Sequence, residues 1–299
     1  MPEILLAESA GFCFGVQRAV DMVYEQVRRH AGRRRIFTLG PLIHNPQVID
    51  ELERAGVRAI TIDDLKRAGS STPDDGVAGD ISDGIVIIRS HGVSRHVIET
   101  LEEKGIEYVD ATCPFVDRIH RIVCREEEAG RRIIVVGNPE HPEVRGICGW
   151  CREPYTVLED TQKAESFEGD PAVEYSIVAQ TTFRENKFLQ IVDILRKKGY
   201  NTNVLNTICN ATAKRQKEAE EIASKVDVML VIGGAESSNT QKLFEICNTC
   251  CTNTYYVQVP DDVDLNRVRS VKTVGITAGA STPNNIIKEV SNHVRRTDV

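Results

Sequence analysis

The chain predicts an α/β protein of three similar units, each built on a mainly parallel sheet, in a pseudo-threefold arrangement about one central site. Three observations predict it. Short β-branched runs such as IVIIRS, RRIIVVG and VDVMLVIG alternate with amphipathic segments, the pattern of parallel strands joined by crossover helices. These runs show no polar/apolar alternation, as expected of strands covered on both faces. Finally, Cys13, Cys113 and Cys209 close the same local frame three times, ILLAESAGFC, EYVDATC and NVLNTIC. A repeat whose shared reactive side chain is cysteine points to three arms converging on one site.

Each frame continues alike. An amphipathic segment follows each cysteine, and then an apolar run closed by glycine: RRIFTLG at Gly40, RRIIVVG at Gly137 and VDVMLVIG at Gly233. A second apolar run ends in small polar residues, IVIIRSHG, YSIVAQTT and TVGITAGAST. Helical periodicity covers residues 16–27, 46–55, 114–129, 183–198, 213–225 and 239–248. Boundaries near residues 105 and 200 divide the chain into units 1–105, 106–199 and 200–299. Residues 69–84, GSSTPDDGVAGDISDG, have no period to bury and read as a surface insertion.

Composition narrows the classes of function. With 299 residues and 41% hydrophobic content the chain can bury a real core. No apolar run approaches the ~20 residues that cross a bilayer, and the amino terminus MPEILLAES has no signal-peptide pattern. A cytoplasmic protein without a membrane partner is expected. Nine cysteines, an odd count, favour metal or catalytic use in a reducing compartment over a disulfide framework. A formal charge of -7 argues against nucleic acid as a partner.

Loops at the carboxyl ends of parallel strands gather function. That rule groups the three cysteines with His44, His91, His141, Glu143, Thr181, Ser237, Ser238, Asn239 and Ser281. Three thiolates can hold a zinc ion, a three-iron cluster or a 4Fe-4S cluster with one iron free of protein thiolate. One cysteine per unit suits electron chemistry better than structural zinc, which takes local CxxC pairs. The histidines, serines and Asn239 are hydrogen-bond donors for a phosphate or diphosphate, aided by helix N-termini. Neither GxGxxG nor GxxxxGK[ST] occurs, so dinucleotide and P-loop readings lose their main support. Glu143 can serve as a proton donor if burial raises its pKa.

The series GFCFGVQRAV, LGPLIHNPQV, SHGVS, DATCPFV, GNPEHPEV, AQTTF, CNATAKRQ, GAESSNTQKL and TAGASTP resembles the LytB/IspH family of 4-hydroxy-3-methylbut-2-enyl diphosphate reductases, in order and over essentially the whole chain. The resemblance implies an iron-sulfur reductase of non-mevalonate isoprenoid biosynthesis that reductively dehydroxylates its allylic diphosphate substrate to isopentenyl and dimethylallyl diphosphate. It implies one 4Fe-4S cluster on Cys13, Cys113 and Cys209 at the centre of the three units, with the substrate hydroxyl on its unique iron. It places His44, His91, His141, Ser237, Ser238, Asn239 and Ser281 at the diphosphate. Glu143 becomes the proton source, with His141 and Thr181 relaying protons and orienting the hydroxyl.

Other features carry blander expectations. Cys124 falls in a helical pattern, and Cys148, Cys151, Cys247, Cys250 and Cys251 contain two CxxC spacings that read first as reduced thiols and second as a zinc site. His30, His96, His120 and His293 read as solvated or structural, and Gln180 and Thr212 as supporting residues. The basic run RRHAGRRR, residues 28–35, reads as a solvated helix end or as a dock for an acidic electron donor such as ferredoxin or flavodoxin. The competing functions are an iron-sulfur redox sensor or regulator and a zinc-organised binding module.

Overall fold

The computed structural model describes residues 2–69 and 81–295. Along the chain β1 (Glu3–Leu6) leads to α1 (Phe14–His30), followed by β2 (Ile36–Leu39), α2 (Pro46–Arg54), β3 (Val57–Ile60), α3 (Ile62–Arg67), β4 (Ile85–Ile88), α4 (Arg95–Glu103) and β5 (Tyr108–Asp110). Next come α5 (Pro114–Glu128), β6 (Arg132–Val136), α6 (Pro142–Cys148), β7 (Thr156–Leu158), α7 (Thr161–Glu165), β8 (Glu174–Ala179), α8 (Glu185–Lys197) and β9 (Asn201–Val204). The remainder is α9 (Asn210–Ala223), β10 (Val228–Ile232), α10 (Ser238–Cys250), β11 (Thr254–Val257), α11 (Leu265–Arg269), β12 (Thr273–Ala278) and α12 (Asn284–Arg295). Each helical pattern in the sequence corresponds to one of these helices, within a few residues at either end.

The strands form three four-stranded sheets of one design, ordered β1-β12-β10-β11, β3-β2-β4-β5 and β7-β6-β8-β9. Every pairing is parallel. The two apolar runs of each repeat are the two central strands. β2 and β4 are buried at every residue, as is β10, whereas the edge strands β1, β5 and β9 contain no fully buried residue. Continuous β-branched sequence thus marks strands covered on both faces. In the third sheet, Ile134 and Val136 enter the core with Phe188, Ile191 and Leu195. Ile133 and Val135 enter the opposite one with Ile119, Val123 and Ile147. Each such fully buried aliphatic side chain stabilises the fold by roughly 1.5–3 kcal/mol.

Boundaries at residues 105 and 200 miss the sheet limits by one strand. β5 still pairs with β4, β9 with β8, and β1 crosses the sequence to pair with β12. The repeat is therefore staggered: the strand that ends a sheet runs into the cysteine and then into the helix that opens the next repeat. The last sheet takes its fourth strand from the start of the chain. Sequence adjacency conceals this, because parallel neighbours need not be consecutive.

By compactness the chain divides into two units. Met1–Val16, His44–Val48 and Cys209–Val299 form the first, which holds the sheet of β1, and Gln17–Ile43 with Ile49–Ile208 form the second, which holds the other two sheets. Among the described residues no helix is long and apolar enough to cross a membrane. Of the insertion expected at residues 69–84, residues 70–80 lie outside the described residues.

Candidate functional site

All three frame cysteines stand directly before a helix. Cys13 precedes Phe14 of α1, Cys113 is the N-cap of α5 with Pro114 in its first turn, and Cys209 is the N-cap of α9. Two of them are tied to strand-end loops: Cys13 N donates to Ala280 O at 3.2 Å in the first unit, and Cys113 N to Ser90 O at 3.0 Å in the second. All three are partly exposed.

In the first unit, Ser237 caps α10, accepting from Thr240 N at 3.4 Å. Ser281, just beyond β12, shares a hydrogen bond with Ser237 Oγ at 3.4 Å and donates to His44 O at 3.2 Å. His44, Ser237 and Ser281 therefore come together, and Ser238 and Asn239 open the helix beside them. Asn239 is 4% exposed, and both ends of its amide lack a hydrogen-bond partner. A buried, unsatisfied amide at a helix N-terminus is a group built to meet a ligand. Gly233, which ends β10, has φ +148°, and a Cβ there would lie 2.7 Å from Thr240 Oγ1 and 2.8 Å from Thr282 Oγ1. Only glycine lets this strand turn into the serine loop.

In the second unit, His141 caps α6, and its Nδ1 accepts from Glu143 N at 3.2 Å. An accepting Nδ1 leaves the ring proton of neutral His141 on Nε2. The rings of His91 and His141 meet edge to face, with centroids 5.3 Å apart. Glu143, 2% exposed, accepts from Thr181 N at 2.6 Å and from Thr181 Oγ1 at 2.7 Å. Burial raises its pKa from 4.5 to about 7 against the opposing pull of these two hydrogen bonds. Thus His91, His141, Glu143 and Thr181 assemble from the ends of β4, β6 and β8.

The loop carrying His91 is braced from behind. Trp150 Nε1 donates to Val93 O at 2.8 Å, and the indole stacks on buried His120 with centroids 5.2 Å apart. A Cβ at Gly92, φ +69°, would lie 2.7 Å from His120 Cε1. Burial pulls the His120 pKa down to about 4, so His120 is a neutral packing element, in keeping with its structural reading. Gln180 supports the neighbouring turn by accepting from Asn138 N at 3.3 Å and donating to Thr182 Oγ1 at 3.0 Å.

Of the remaining cysteines, Cys148, Cys247 and Cys251 are buried as small apolar side chains, Cys124 and Cys151 are partly buried, and Cys250 is exposed. Burial pushes the Cys148 thiol up to about 11 and Cys247 up to about 12, and raises Cys151 as well. Cys124, Cys151, Cys247 and Cys251 donate weakly to backbone carbonyls at 3.6–3.8 Å, as small, weakly polar side chains do. Sequence reasoning passed over Arg215. It lies on the buried stripe Thr212, Arg215, Gln216, Ala219 and Ala223 of α9. A charged residue on the stripe that should be apolar was the available signal.

Three parallel sheets with cysteine-led helices, a buried carboxyl that titrates near neutrality and a serine-capped helix end together describe an α/β enzyme. The LytB protein family model matches residues 4–295. The chain belongs to the LytB family. A relative from Caldanaerobacter subterraneus subsp. tengcongensis, named 4-hydroxy-3-methylbut-2-enyl diphosphate reductase, is 43% identical over 294 residues, 98% of this chain and 96% of that protein. One of the same name from Clostridioides difficile is 40% identical over 96% of this chain and 97% of its own. Among solved structures, the (E)-4-hydroxy-3-methyl-but-2-enyl diphosphate reductase described as the terminal enzyme of the non-mevalonate pathway matches with TM-score 0.67 and 37% identity, covering 99% of both chains. The E-1-hydroxy-2-methyl-but-2-enyl-4-diphosphate reductase from Plasmodium falciparum matches with TM-score 0.86 and 28% identity over 97% of this chain and 87% of that one.

Proposed function

We propose that this protein is an oxidoreductase that converts 4-hydroxy-3-methylbut-2-enyl diphosphate to isopentenyl and dimethylallyl diphosphate. Two electrons and two protons enter, the allylic C–O bond breaks, and the oxygen leaves as water. The observation that carries the reading is Glu143: a fully buried carboxyl with a pKa of about 7, able both to hold and to release a proton at working pH. Its two hydrogen bonds from Thr181 fix the orientation of that carboxyl, and neutral His141 offers Nε2–H as a donor. A redox sensor needs no such acid, so this group favours catalysis over regulation.

The diphosphate is assigned to His44, Ser237, Ser238, Asn239 and Ser281, with His91 and His141. The unsatisfied amide of Asn239 and the N-terminus of α10 supply donors without reorganisation. Binding this remote group also helps to exclude water from the reacting centre. Cys13, Cys113 and Cys209 would hold a 4Fe-4S cluster, which when bound supplies electrons and a Lewis-acidic iron. The donor set fits such a group: each sulfur stands ahead of a helix, and a buried guanidinium nitrogen without a partner, Arg215 Nη1, sits in the unit of Cys13 and Cys209. We assign the electrons to an acidic ferredoxin or flavodoxin meeting exposed Arg28, Arg29 and Arg33, in a cytoplasmic setting that keeps nine cysteines reduced.

Anaerobically purified protein tests the reading through iron and acid-labile sulfide content, electron paramagnetic resonance with and without substrate, and turnover with a chemical reductant. About four iron and four sulfide per chain are expected, with a substrate-dependent signal and formation of both products. Zinc without sulfide, or an intact cluster without turnover, rejects it.

A further inference from the structure

Arg215 is 3% exposed and has no carboxylate as a hydrogen-bonded partner. Its Nε and Nη2 donate to Ser9 O at 2.9 and 2.6 Å, and Nη2 donates to Gly11 O at 2.8 Å. Nη1 is buried without a partner. Three bonds to neutral carbonyls do not require a cation, and a guanidinium is costly to bury unless opposite charge lies near it. The charges within reach are few: Glu218, one turn along α9, and the sulfurs of Cys13 and Cys209. Glu218 is itself committed to the same segment, accepting from Glu8 N, Ser9 N and Ser9 Oγ. One face of α9 therefore clips the Glu8–Gly11 backbone, with Glu218 on its amides and Arg215 on its carbonyls. Cys209 caps that helix, and Cys13 follows the clipped segment.

We propose that Arg215 is a positioning residue for the metal centre, holding the Cys13 loop in register with Cys209 and placing a fixed positive charge that raises the reduction potential of the bound cluster. The inference rests on the iron-sulfur reading of these cysteines. Reduction adds one negative charge to the cluster, and a nearby cation in a low-dielectric setting favours the reduced form. Burial disfavours the charged form of Arg215 while the sulfurs and Glu218 support it, the balance expected of a cation kept for an anionic partner. Gly11 is part of the same device. It adopts φ +101°, and a Cβ there would lie 2.5 Å from Asn284 Oδ1, so the carbonyl that Arg215 uses sits on a turn open to glycine alone.

The test compares wild type, Arg215→Gln and Arg215→Lys after anaerobic reconstitution. It reads iron and sulfide content, then midpoint potential by mediated redox titration with spectroscopic detection. Arg215→Gln should make the cluster at least tenfold harder to reduce, about 59 mV lower for a one-electron couple. Arg215→Lys keeps the charge and loses the fork, so its potential should stay near that of wild type while the cluster is lost several-fold faster on exposure to a chelator. An iron-replete Gln variant with unchanged potential overturns the proposal. So does an equal drop in the Gln and Lys variants, or, where the Gln variant fails to fold, a drop of that size in the Lys variant. Wild type without iron and sulfide would instead reject the cluster reading itself.

Discussion

Thr181 grips both oxygens of Glu143, with its backbone N on Oε1 at 2.6 Å and its hydroxyl on Oε2 at 2.7 Å. The two residues leave the ends of different central strands, β6 and β8, which pair in parallel register. The carboxyl can neither rotate nor reach bulk water, and two effects compete over its proton. Burial favours the neutral acid and the Thr181 donors favour the carboxylate; burial wins, with a pKa of about 7.

Glu143→Gln should abolish turnover, by about 100-fold or more, with cluster content and substrate binding retained. Steady-state kinetics beside iron analysis and substrate titration of the cluster spectrum check this. Undiminished turnover removes Glu143 from the mechanism.

The same group makes stability depend on pH. Its folded pKa of about 7 lies above the ordinary 4.5, so the folded protein binds more protons than the unfolded chain between those values. The contribution is whole below pH 4.5, declines as pH rises and is lost above about 7, a span on the order of 3 kcal/mol. Glu143→Gln should flatten that decline and be more stable than wild type at pH 8, as measured by denaturant unfolding at several pH values. Parallel curves for both proteins would contradict the assigned shift.

Thr181→Val removes the hydroxyl that favours the Glu143 carboxylate, so the carboxyl pKa should rise further. The basic limb of the pH profile of kcat/KM should move to higher pH, and Thr181→Ser should restore it. A limb that stays in place would assign the titration to another group.

Ser281→Ala removes the bridge between His44 O and Ser237 Oγ. A rise in KM of roughly tenfold is expected, corresponding to about 1–1.5 kcal/mol for one hydrogen bond, with little change in kcat. An effect confined to kcat would move Ser281 from binding the diphosphate to the chemistry.

The basic run divides in two. Arg34 is committed to structure, pairing with Glu107 and donating to Asp83 O at 3.2 Å and Gly84 O at 2.8 Å, so its neutralisation should mainly lower stability. Neutralising Arg29 and Arg33 should slow reduction by a protein donor several-fold at low salt and leave reduction by a small reductant unchanged. Equal slowing with both reductants rejects the docking role.

The sequence alone determined the parallel α/β character, the helices within a few residues and the cysteine frames, because strand coverage and helix periodicity are written locally in β-branched runs and amphipathic stripes. It also placed Cys13, Cys113 and Cys209 ahead of helices, since each lies between an apolar run and a helical period. Only the tertiary structure decided that β1 completes the last sheet, a pairing between the two ends of the chain that no local pattern encodes. It alone decided which groups sit in which environment: the grip of Thr181 on Glu143, the neutral His120 under Gly92 and the buried charge of Arg215. Those properties follow from desolvation and from hydrogen bonds between residues far apart in sequence, and they exist only once the chain has excluded water around them.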